Sequence, residues 1–111
     1  MQPKNLALLI RDASLDKKAE NPVILDLAKV TNVARYFVIF HGNSDRHVKA
    51  LADHIINTAE EKKVKLFHCE GLQDGLWVLL DFGVVIVHIF YKTTREYYGL
   101  ERLWGDAPRL S

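Results

Sequence analysis

The residues of this chain best suited to chemistry are five histidines, one cysteine and a Gly42-x-Ser44 turn. The turn follows an apolar run and opens a helix, where free backbone amides attract anions. Nucleotidyl-transfer sites begin with a Gly-Ser pair of this kind, but they also need two close carboxylates to hold Mg²⁺. No Asp-x-Asp or Asp-x-Glu follows: Asp81 stands alone, and Asp45 and Asp53 fall on a helix. The turn also lacks the full spacing of either common Gly-rich nucleotide motif. Ser44 is therefore read as a helix cap, with a nucleotide-binding or nucleotidyltransferase-like enzyme using Gly42-x-Ser44 as the alternative.

A metal would need clustered ligands. His47 and His54 are seven apart and share a helix face; His68 and Cys69 are adjacent and point opposite ways on a strand. No pair has zinc-finger or helical metal-motif spacing, and scattered, partly buried histidines are the better reading. His41 is read as a strand-end residue. Cys69 or a serine would need a neighbouring histidine and an oriented acid to act as a nucleophile, and nothing in the sequence assembles that set. No catalytic residue, metal or cofactor is expected.

At 111 residues the chain fits one domain, with a core over about residues 4–107 and a flexible tail at 108–111. Its 49% hydrophobic and 26% charged residues are those of a globular protein. Fifteen basic and 14 acidic residues give a formal charge of +1. Phosphate neutralisation usually needs a marked basic excess, so a protein partner is favoured over DNA or bulk nucleic acid. The lone Cys69 excludes an internal disulfide and suits a reducing compartment. No apolar run approaches the roughly 18 residues of a membrane span, and the N-terminus has no signal-peptide pattern, so a cytoplasmic location is expected.

The elements that must position these residues follow from periodicity. Leu6, Leu9, Ile10 and Ala13 predict a helix over about 4–18, closed by Asn21-Pro22. Val23 to Leu27 predicts a strand, and the continuously apolar Tyr36 to Phe40 predicts one buried on both faces. Val48, Leu51, Ala52, Ile55, Ile56 and Ala59 give the clearest helix, capped by Ser44 and ending near Lys63. Lys62, Lys63 and Lys65 then suit the helix C-terminus rather than RNA. Lys65 to Cys69 predicts a short strand, and 70–75 a loop. Thr93-x-x-Glu96 has capping-box spacing, opening a last helix with Tyr97, Leu100 and Trp104 on one side.

Trp77 to Asp81 and Val84 to Tyr91 predict a hairpin through Phe82-Gly83, with Asp81 facing Val84, Leu79 facing Ile86 and Trp77 facing His88. Trp77, Leu79, Asp81, Ile86, His88 and Phe90 then share one face. Val78, Leu80, Val85, Val87 and Ile89 share the other, which is aliphatic and core. The first face sets a tryptophan, an acid and a histidine near Tyr91, Arg95, Tyr97, Tyr98 and Trp104. Aromatics and arginine anchor protein interfaces; alternatively, Trp77 and Trp104 complete the core under the last helix.

Val23-Ile24-Leu25-Asp26-Leu27, Tyr36-Phe37-Val38-Ile39 and Gly42-Asn43-Ser44-Asp45-Arg46-His47-Val48 resemble the ribosomal silencing factor family, the Iojap-related proteins. Trp77-Val78-Leu79-Leu80-Asp81-Phe82-Gly83, Val87-His88-Ile89-Phe90 and Arg95-Glu96-Tyr97-Tyr98 through Leu100-Glu101-Arg102-Leu103-Trp104-Gly105-Asp106-Ala107 extend the resemblance over about residues 6–107. His41, where the family often has a small serine, and Val84, where an acid is common, depart from it.

The resemblance implies a single α/β domain on a mixed, roughly five-stranded sheet with helices packed on it, distantly similar to nucleotidyltransferases but without their metal-binding acids. It implies a repressor of translation that docks on the large ribosomal subunit through its fourteenth protein, hinders joining with the small subunit, and forms homodimers when free. The expected contact surface is Trp77, Leu79, Asp81 and His88 with Tyr91, Arg95, Tyr98, Leu100, Glu101 and Trp104. In it Trp77 is an apolar anchor, Asp81 and Glu101 accept from basic groups, and Arg95 lies at the rim.

Overall fold

The apolar runs and their flanking caps account for most elements of the computed structural model, which describes residues 1–110. Helix α1 spans Pro3–Asp16, strand β1 Glu20–Asp26, strand β2 Tyr36–Gly42 and helix α2 Asp45–Glu61. Strands β3 (His68–Glu70), β4 (Trp77–Asp81) and β5 (Val85–Tyr91) follow, then the short helices α3 (Lys92–Tyr98) and α4 (Leu100–Leu103). One mixed sheet results, in the order β1-β2-β5-β4-β3. Strands β2 and β5 run parallel, and the other neighbours antiparallel. This is the α/β fold expected from the sequence. No helix among the described residues is long and apolar enough to cross a membrane.

Side-chain alternation divides the sheet into two apolar layers. Ile24, Val38, Phe40, Val78, Leu80, Val85, Val87 and Ile89 pack against Leu6 and Ile10 of α1 and Val48, Leu51 and Ile55 of α2. Val23, Leu25, Phe37, Ile39, Ile86 and Phe90 face the other way, beneath Leu100 and Ala107. Strand β2 is buried at every position, as its unbroken apolar run predicts. Ser44 caps α2: its Oγ accepts from His47 N at 3.0 Å, with Asp45 in the first turn.

Several local expectations are corrected. Asn21-Pro22 does not close α1. The helix stops at Asp16, where the amides of Lys17, Lys18 and Ala19 turn back onto the Ser14 and Leu15 carbonyls. Asn21-Pro22 lies inside β1, where the register slips between Glu20 and Val23; proline is tolerated because this edge ladder is already interrupted. Strand β3 is shorter than predicted, since of residues 65–67 only Phe67 donates to β4, at Asp81 O.

The hairpin pairs Asp81 with Ile86, Leu79 with His88 and Trp77 with Phe90, two residues from the predicted register. Phe82 N donates to Val85 O, and Asp81 Oδ1 accepts from Gly83 N, whose φ of 85° favours glycine. These bonds leave Val84 in the connection. Because the displacement is even, both faces keep the predicted residues.

The capping box does not form. Helix α3 begins at Lys92 with no side-chain cap, leaving Thr93 inside it. Gly99, at φ 56°, breaks the predicted final helix in two. That break changes the helical phase, so Tyr97 is 81% exposed while Leu100 is 9% exposed. Residues 108–110, read as tail, lie along β1: Asp26 N donates to Pro108 O and Leu110 N to Ile24 O. An edge strand offers unpaired groups of this kind. Ser111 lies outside the described residues.

Replacing Ser44 by alanine removes the α2 cap while leaving the apolar stripe intact. The stability read from urea unfolding should fall by about 1 kcal/mol with an unchanged slope.

Candidate functional site

Strand β4 has only the three-residue β3 outside it, so its non-core side chains are half exposed. Trp77 is fixed there from below. Its Nε1 donates to His88 Nδ1 at 3.2 Å, and its ring lies 4.9 Å from both Phe90 and Tyr98. His88 is buried against Phe37, centroid to centroid 4.6 Å, and Trp104 meets the same Phe37 edge-on at 5.8 Å. The indole is thereby held in one orientation before any partner arrives, and that lowers the ordering cost of binding.

Carboxylates rim this aromatic patch. Asp81 is half-buried and uses Oδ1 on the Gly83 turn. Across from Leu79 and Asp81 stand Glu70 and His68 of β3, both exposed and paired at 3.3 Å. Beside Trp77 a cavity of about 460 Å³ is lined by Leu76, Thr93, Thr94, Tyr97 and Tyr98.

The structure therefore groups Trp77, Leu79, Asp81, Tyr98 and Trp104 about one face, with His88 supporting it from within. It separates the others. Tyr91 points to the opposite sheet face, by alternation from Phe90, and lines a cavity with Ser44 and Asp45. Arg95 is buried rather than at a rim: Nε donates to Glu101 Oε1 at 2.7 Å, and Nη1 to His41 Nδ1 at 2.8 Å and Glu20 O at 3.3 Å. Glu101 is engaged by Arg95 and approached by Arg109 at 3.9 Å, so its carboxylate already serves two internal cations. Leu100 is buried in the second layer.

Tyr97 and Leu76, 81% and 49% exposed, line the cavity beside Trp77; the sequence set Tyr97 near this face, but neither residue was in the expected contact surface. A signal existed in Gly99, which ends the helix before Tyr97 and Leu100 can share a face.

The Gly42 turn is internally satisfied. Asn43 N donates to His47 Nδ1 at 3.1 Å, and His47 Nε2 donates to Lys17 O at 2.8 Å. The imidazole fills the space above the turn, where a Cβ on Gly42 would lie 2.9 Å from Nδ1. Burial and the nearby Asp53 and Glu70 push the Cys69 thiol up, which opposes thiolate formation. Among the described residues, no group of three or more His, Cys, Asp or Glu is placed to hold a metal ion.

Aromatic anchors fixed from beneath and rimmed by carboxylates are the makings of a protein-docking surface. The chain belongs to the RsfS family, described as ribosomal silencing factor during starvation, which it matches over residues 1–111. It is 44% identical to the ribosomal silencing factor of Bacillus subtilis over 97% of this chain and 92% of that one. A crystal structure of a Chromobacterium violaceum protein superposes with a TM-score of 0.92 at 35% identity, covering 95% of this chain and 88% of that one. A more distant relative is the mouse mitochondrial assembly of ribosomal large subunit protein 1, 35% identical over 62% of this chain and 32% of its own length.

Burial pushes His88 down to about 4 from an ordinary 6.5. Unfolding releases the ring to take up a proton, so the unfolded chain binds more protons below about pH 6.5 and stability rises with pH in that window. His41 is lowered by the same burial and by Arg95, partly offset by Glu20, and acts in the same direction. The unfolding free energy should drop by about 3 kcal/mol as pH falls from about 6.5 to 4 on account of His88, measured by urea unfolding across that range.

Proposed function

We propose that this chain docks on the large ribosomal subunit through its fourteenth protein, using the Trp77 face, and represses translation by blocking the small subunit. The observation that carries this reading is the fixed Trp77 indole among exposed Tyr97 and Tyr98, rimmed by Asp81 and Glu70. A basic ribosomal protein is the partner such a surface suits, because buried aromatics supply affinity and rim acids supply orientation. Family membership supports the ribosomal role, and the mouse relative's name refers to the large subunit. A formal charge of +1 suits docking on protein better than on rRNA.

Dimensions make steric blocking sufficient. The body measures 34 × 33 × 22 Å with a radius of gyration of 12.6 Å. Contacts between two surfaces are lost beyond about 4–5 Å, so even the thinnest dimension seated on the joining face holds the subunits apart. In the cytoplasm, off the ribosome, the same apolar patch is the surface that a homodimer would cover.

Trp77→Ala and Asp81→Arg should each weaken co-sedimentation with purified large subunits by about tenfold or more while circular dichroism stays native. Wild-type affinity in both folded variants would show that the docking surface lies elsewhere. Binding of the wild type without loss of subunit joining would sink the steric reading.

A further inference from the structure

A second cavity, of about 600 Å³, lies on the same side of the sheet but at its β1 edge, and shares no lining residue with the Trp77 cavity. It is bounded by Asn21 to Val23 of β1, His41 of β2, and residues from α3, Gly99, α4 and Arg109. Its volume is that of a small-molecule site.

Four basic side chains line it, Lys92, Arg95, Arg102 and Arg109, against two acidic ones, Glu96 and Glu101. Glu101 is occupied by Arg95 and Arg109. Neither Lys92 nor Arg102 makes an ion pair among the described residues. Arg102 is folded back over the α3–α4 break, where a Cβ on Gly99 would lie 2.5 Å from its Nη2.

Arg95 forms the floor. It is only 8% exposed, and Glu101, His41 and Glu20 take up its Nε and Nη1 donors. Its Nη2 takes part in none of these bonds, and the side chain lines the cavity. A guanidinium locked on three sides with one end free is a preorganised donor for an oxyanion. Its immobilisation has already been met by the fold.

We infer that this cavity binds a phosphate-bearing small molecule, with Arg95 Nη2 as the fixed donor and Lys92 and Arg102 closing on the anion from its mouth. The cavity shares no lining residue with the Trp77 cavity, and its test does not use the ribosome.

Calorimetric titration of the full chain with inorganic pyrophosphate at low salt tests it. Saturable binding should appear by millimolar concentration. The double variant Lys92→Glu/Arg102→Glu should bind at least about tenfold more weakly. Lys62→Glu, which changes charge at the end of α2 on the other side of the sheet, should bind as wild type does. Amide shifts in the wild type should centre on Gly99 and Arg102 rather than on Ser44, a readout that does not depend on either variant folding. Absence of saturable binding, shifts centred on Ser44, full affinity in the folded double variant, or an equal loss in Lys62→Glu would each overturn the assignment.

Discussion

Strands β2 and β5 run parallel through the middle of the sheet and are buried on both faces, so the sheet must be covered twice. Parallel pairing requires a long crossover, which the chain supplies through α2, β3 and β4. Helices α1 and α2 cover one face with a broad aliphatic layer. Only the short C-terminal stretch remains for the other. Residues 92–110 spread over β1, β2 and part of β5, and at β4 they reach Trp77 through Tyr98 without burying it. Trp77 and Leu79 are therefore left half-exposed as a consequence of coverage, and the proposed docking face lies where the cover ends.

The C-terminal cover needs anchoring because α3 and α4 have seven and four residues, too short to be stable as isolated helices. Arg95 supplies the anchor, joining α3 to Glu101 of α4, His41 of β2 and the Glu20 carbonyl of β1. Burying a guanidinium is costly unless its donors are met, and removing one partner of such a group typically costs more than the pair contributes. The network therefore fixes the geometry of α3 more than it adds net stability. The position of Tyr98 against Trp77 depends on that geometry.

The layers and helices were legible because they rest on periodicity. The stripe from Val48 to Ala59, the unbroken run of β2 and the alternation of β4 against β5 each map onto one burial pattern. What was not legible depended on single hydrogen bonds. The hairpin register was decided by Asp81 and Gly83, α1 ended through backbone turns at Lys17 to Ala19, and residues 108–110 paired with an edge whose vacancy the sequence does not announce. The site divided the same way. Trp77, Leu79 and Asp81 followed from strand parity. Arg95 looked like a rim residue because charge predicts exposure, whereas Glu101 of the next helix and Glu20 and His41 from distant strands hold it inside. Tyr91 was placed by proximity in sequence, where parity would have sent it to the opposite face.

A stable protein interface typically takes about 800 Å² from each partner, roughly one-eighth of the 6409 Å² that this chain exposes. On the proposed reading, docking and blocking therefore do not compete for the same surface. A small preorganised patch would suffice for attachment, and the rest of a body 22 Å thick at its narrowest would act by volume alone. Residues that serve volume should tolerate substitution as long as the core stays packed, because no partner would read them. The patch is different: on the proposed reading, moving the Trp77 indole should change affinity without changing bulk. On this division, sensitivity to mutation should be concentrated in Trp77, its His88 and Phe90 supports and the Arg95 network that sets α3. Steric exclusion would then be a property of the whole fold, and specificity the property of a few side chains at the uncovered edge.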